Sequence, residues 1–115
     1  MKTSNQNPML AKAWVNFNGT GTIAIRDSFN VTSLTDHASG ICTVNLSVTM
    51  ADTNYAVIGG VSGTTSGYGY TVWEYDSGSA KTTTAVKLGV AYTNSATESL
   101  YAASIICVTL FGDVA

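Results

Sequence analysis

Apolar and polar residues alternate with a period of two along most of the chain, and turn residues interrupt them at short intervals. Lys12–Phe17 places Val15 and Phe17 on one face and Trp14 and Asn16 on the other. Asn18-Gly19 follows, a pair suited to a type I′ hairpin turn because both central positions of that turn need positive φ. Thr20–Arg26 returns as a strand, with Ile23 and Ile25 set against Ala24 and Arg26, and Asp27-Ser28 is expected to bend the chain into a strand over Phe29–Thr35. Asp36–Gly40 reads as a loop. Ile41–Val48 alternates cleanly, with Cys42, Val44, Leu46 and Val48 inward and Thr43, Asn45 and Ser47 outward. Ala51–Asn54 forms a turn into a strand at Tyr55–Ile58.

Gly59–Gly69 is rich in glycine and reads as a long hairpin loop; it lacks the lysine and spacing of a phosphate-binding loop. Tyr70–Tyr75 is a strand with Tyr70 and Val72 on one face and Trp73 and Tyr75 on the other, and Asp76–Ser79 is a turn. Thr82–Tyr92 carries Val86, Leu88, Val90 and Tyr92 in register. Thr93–Ser99 is expected to loop. Leu100–Phe111 reads as one strand apolar on both faces, with Ile106, Val108 and Leu110 on one and Ile105, Cys107 and Phe111 on the other. No window holds a helical period. About seven to nine antiparallel strands imply an all-β fold, a small β-sandwich or jelly-roll-like domain over residues 11–115.

A strand apolar on both faces must be covered on both. Its second face meets either a neighbouring subunit or another part of the same chain, and the first alternative makes the protein a homo-oligomer. Trp14, Ile105, Cys107 and Phe111 are the candidate residues for that interface or for the core. Residues 1–10 are polar, hold the only proline and form an extended N-terminal arm that needs a neighbour to order it. Asn5, Asn7, Pro8, Met9 and Leu10 are its candidate docking residues.

Charged residues make up 10% of the 115-residue chain, against about 25% in ordinary soluble domains. Such a surface has little charge repulsion to keep it monomeric, although a merely threonine-rich β-domain would share the composition. The net charge is −2 and the five basic residues are scattered, which argues against nucleic-acid binding. No apolar run is long enough to span a membrane, and the N-terminus lacks the apolar stretch of a signal peptide. Synthesis in a reducing cytoplasm is expected, with Cys42 and Cys107 as buried free thiols rather than a disulfide or metal pair.

Catalytic vocabulary is sparse. The only histidine, His37, lies in Asp36-His37-Ala38-Ser39, and residues adjacent in a loop cannot form the relay of a Ser–His–Asp triad. Metal binding needs a cluster of ligands that the sequence does not spell out. Glu74 and Asp76 could share a strand face, but a glycosidase needs carboxylates facing each other across a cleft, and Asp76 starts a turn. The expectation is a protein with no enzymatic activity and no cofactor. Tyr68, Tyr70, Trp73 and Tyr75 cluster around the glycine-rich segment. Aromatic rings with polar handles suit sugar faces or protein surfaces. Trp73 is expected inward in the core, whereas Tyr68, between Gly67 and Gly69, is expected to be exposed; Tyr68 and Tyr70 are the receptor candidates.

Three segments carry a resemblance: Trp14–Thr22 (WVNFNGTGT), Ile25–Val31 (IRDSFNV) and Met50–Val57 (MADTNYAV). In this order and spacing they resemble a domain of tail-fibre and related virion proteins of tailed bacteriophages. The likeness covers the N-terminal half. It departs from that pattern at Cys42 and Leu46, where the pattern has aromatics. The resemblance implies a trimeric, non-enzymatic β-structure on the virion surface and transfers no functional residue. Two roles follow. One is a homotrimeric capsid decoration (cement) protein bound to the major capsid protein or another virion protein. The other is a tail-fibre tip that binds a host surface glycan or protein. A chain of 115 residues with a ten-residue extension is short for a fibre with shaft and anchor, which favours decoration as the expectation.

Overall fold

A computed structural model describes residues 7, 9–76, 81–94 and 97–115. Among them are nine strands and no helix: β1 (Ala11–Asn18), β2 (Ala24–Phe29), β3 (Val31–Ala38), β4 (Ile41–Leu46), β5 (Ala56–Val61), β6 (Gly69–Glu74), β7 (Ala85–Asn94), β8 (Thr97–Leu100) and β9 (Ile106–Phe111). All pairings are antiparallel. The first sheet runs β2-β1-β9-β5 and the second β3-β4-β7-β6. β4 pairs with the first half of β7 and β8 with its second half, along the edge opposite β6.

The period-two pattern decides which side of each strand is buried. Ala13, Val15 and Phe17 of β1, Cys42, Val44 and Leu46 of β4, Val86, Leu88 and Val90 of β7, and Ile106, Val108 and Leu110 of β9 meet in one core between the sheets. Each large apolar side chain moved there from water contributes about 1.5–3 kcal/mol. Tyr55 closes the end nearer the N-terminus: its hydroxyl donates to the Thr82 carbonyl at 2.7 Å and lies 3.1 Å from that of Ala85.

Several boundaries differ from the sequence-based expectation, each for a local reason. Asn18-Gly19 does not make a two-residue turn; Asn18 pairs with Ala24 and the loop spans residues 19–23. Gly19 is needed for close approach instead, since a Cβ there would sit 2.7 Å from Ile106 and 2.9 Å from the Ala103 carbonyl. Asp27 and Ser28 stay in the ladder opposite Asn16 and Val15, where a bulge absorbs the irregularity. The chain changes sheets at Asn30, whose φ of 57° is a left-handed conformation that asparagine tolerates. β3 continues through Asp36 to Ala38, leaving Ser39-Gly40 as the turn, with Gly40 at φ 78°. β5 takes in Gly59–Val61, so the glycine-rich loop is shorter than expected. The expected Thr93–Ser99 loop is instead a hairpin of β7 and β8, with Ser95 and Ala96 outside the described residues. Leu100–Phe111 is two strands with a link over 101–105, and Ile105 belongs to the link.

Trp73 is also not a core residue. It pairs with Gly89 on the side of the second sheet facing away from Leu88 and Val90, and its ring lies over that glycine. The absent side chain at Gly89 is what gives the indole a seat outside the core.

Candidate functional site

Two surfaces stand out, one at an end of the sandwich and one on an outer face. The end is built from the loops that precede β6 and follow β8. Tyr70 and Tyr92 lie opposite each other on β6 and β7, on the inward side beyond Val72 and Val90. Tyr101 is held beside them by its N–H donating to the Val90 carbonyl at 2.9 Å. Tyr68 stacks on Tyr92, with centroids 5.3 Å apart and planes 13° from parallel. Tyr101 completes the group at 5.4 Å from Tyr70 and edge-on to Tyr92 at 5.9 Å. The Tyr70 hydroxyl accepts from the Thr65 N–H at 3.0 Å, and its ring fills the space above Gly63. Burial pushes the Tyr70 phenol up, but hydrogen bonds from Thr65 and Thr64 outweigh this and hold it below its ordinary value. The sequence points to Tyr68 and Tyr70 and to an exposed Tyr68; both are half-buried, Tyr68 with one ring face against Tyr92. The sequence reading missed Tyr92 and Tyr101, although Tyr92 was already in register with Val90.

The outer face of the first sheet carries a row that crosses all four strands: Phe29 beside Trp14, Trp14 beside Thr109, and Thr109 beside Ile58. Phe29 is 48% and Ile58 61% exposed, large values for apolar side chains on a sheet face. Phe111 and Cys107 flank the row, half-buried, on the same side. Trp14, Cys107 and Phe111 therefore point away from the core. Ile105, outside the strand and 45% exposed, is tied to the β5–β6 loop: its N–H donates to the Ser62 hydroxyl at 3.0 Å. Ile58 is a member of this face that the alternation did not flag, because the glycines after it read as loop.

Of the N-terminal candidates, Asn5 and Pro8 lie outside the described residues. Asn7 is half-buried, and its side-chain oxygen accepts from the Met9 N–H at 2.9 Å. Met9 and Leu10 are 84% and 47% exposed. Lys12, overlooked by the pattern, is buried; its ammonium donates to the carbonyls of Asn7, Leu10 and Gly112.

The candidate catalytic groups are not brought together. His37 lies on the outer face of the second sheet, with Nε2 2.7 Å from the Thr43 hydroxyl, while Asp36 turns to the other side of β3 opposite Cys42. Glu74 forms a 2.6 Å ion pair with Lys81, which also donates to the Tyr55 carbonyl at 2.7 Å. Asp76 is exposed beyond the end of β6. Beside Glu74 a cavity of about 240 Å³ opens between β5 and β6, lined by Val57, Gly59, Val72, Leu88 and Val108. Among the described residues no group of three or more His, Cys, Asp or Glu is placed to hold a metal. Both cysteines are free thiols. Burial, reinforced by Asp36, pushes Cys42 up to about 12; burial, reinforced by Glu74, pushes Tyr55 up to about 12.

No protein-family profile, no curated protein and no solved structure matches this chain.

Proposed function

We propose that this chain is a non-enzymatic structural protein of a tailed-bacteriophage particle, a homotrimeric decoration subunit seated on the capsid surface against the major capsid protein. The observation that carries the reading is the row Phe29–Trp14–Thr109–Ile58, apolar at three of its four positions, on the outer face of the first sheet. A sheet face of this kind gains from being covered by a second protein surface. The order of the WVNFNGTGT, IRDSFNV and MADTNYAV segments supports the phage setting. Free thiols fit assembly in a reducing host cytoplasm. Imaging of labelled protein on purified particles tests the location, with signal over the capsid expected. Light scattering tests the assembly, with a trimer mass expected at micromolar concentration; a monomer at that concentration removes the reading's main support.

The tyrosine end favours a second reading, a tail-fibre tip that contacts the host surface. Label at the tail instead of the capsid decides for it.

A further inference from the structure

We infer that the tyrosine end is a binding site for a neutral saccharide, which stacks on Tyr68 and hydrogen-bonds to the Tyr92 and Tyr101 hydroxyls. The inference goes beyond the location of the protein on the particle, since it concerns this end alone. Tyr68 has one ring face against Tyr92. Its chain neighbours, Gly67 and Gly69, carry no side chain to lay over the other, and the Tyr70 ring is 6.4 Å away, tilted by 34°. The apolar C–H face of a pyranose fits an aromatic ring face of this kind. Its hydroxyls need polar partners at the rim. The Tyr70 hydroxyl is engaged with the loop, whereas those of Tyr68, Tyr92 and Tyr101 have no partner among the described residues. Among the described residues no buried side-chain oxygen lacks a partner, so these three hydroxyls are not unpartnered buried groups and can pair with a ligand in place of water.

Charge selects the class of sugar. Among the described residues no cation lies over these rings; the cation–π contacts there are Lys81 with Tyr55 and Lys87 with Tyr75. Arg26 is engaged with Asn16 and the Ser104 carbonyl.

The test is a glycan array probed with the full chain, carrying neutral hexose and N-acetylhexosamine oligosaccharides beside sialylated, sulfated and phosphorylated ones. Retention of neutral members is expected. Tyr68→Ala should weaken it roughly tenfold, the size of one lost stacking contact. Tyr68→Phe should retain it. Tyr92→Phe and Tyr101→Phe keep the packing and remove one hydroxyl each, so a several-fold weakening is expected in natively melting protein. Tyr75→Ala, on the other face of β6, should change nothing. Retention of acidic sugars alone, of no sugar, or undiminished retention in Tyr68→Ala with both phenylalanine variants overturns the inference. None of these outcomes bears on the location or assembly of the protein, which imaging and light scattering read separately.

Discussion

The Lys12 ammonium and the Gly112 carbonyl meet at 2.7 Å, one hundred positions apart in sequence. The same ammonium collects the carbonyls of Asn7 and Leu10 and is 3% exposed, so it ties the start of β1 to the segment after β9. Methionine at this position keeps the apolar stem but takes the ammonium donor from three carbonyls, of which only that of Asn7 keeps a second one, the Leu10 N–H. Lys12→Met is expected to cost about 2–4 kcal/mol in urea unfolding with an unchanged m-value. A loss below about 1 kcal/mol would show that water replaces the ammonium freely.

Trp73 and Gly89 are predicted to be coupled. A Cβ on residue 89 would lie 2.5 Å from the indole, so Gly89→Val should destabilise by about 1–3 kcal/mol through overpacking. In a Trp73→Ala background most of that cost should vanish. A double-mutant cycle reads the difference, and strictly additive losses would mean that the ring does not sit over residue 89.

Alkaline pH should destabilise the fold. Cys42 and Tyr55 both titrate higher in the folded chain than their ordinary values of 9.0 and 10.0, each reaching about 12. The folded state therefore binds more protons than the unfolded state between pH 9 and 12. The stabilisation is fully present below pH 9 and is lost as pH rises through that window. Melting temperature measured from pH 8 to pH 11 should fall, and the slope should be shallower in Cys42→Ala. A flat profile in the parent protein contradicts the burial of both groups.

Ile58 offers a test of the proposed assembly that spares the fold. It is 61% exposed at the end of the apolar row, so Ile58→Asp should change monomer stability by no more than about 0.5 kcal/mol. It should lower the mass seen by light scattering. Cys107, on the same face, should alkylate faster in the variant than in the parent, while Cys42 stays unreactive in both until unfolding. Equal masses and equal Cys107 rates would exclude this face from the assembly.

Much of the fold was legible in the alternation. The inward sets Val15/Phe17, Cys42/Val44/Leu46, Val86/Leu88/Val90 and Ile106/Val108/Leu110 all face one core, because a strand side chain points to one of two sides and the apolar ones must leave water. The two faces of the last strand were legible from Ile106 onward, but not its start, since Ile105 belongs to the link before it. Turns were less so. Asn18-Gly19 has the composition of a hairpin turn, yet Gly19 answers to the approach of Ala103 and Ile106 from the far end of the sequence.

The sequence by itself determined the all-β character, the inward residues of β1, β4, β7 and β9 and the scarcity of catalytic groups, since these depend on local periodicity and composition. Tertiary structure alone decided the sheet order, the placement of Trp73 outside the core, the joining of Tyr68, Tyr70, Tyr92 and Tyr101 at one end, and the row from Phe29 to Ile58. Each of these results from pairing between strands distant in sequence, whose register is fixed only when both sheets close over a shared core.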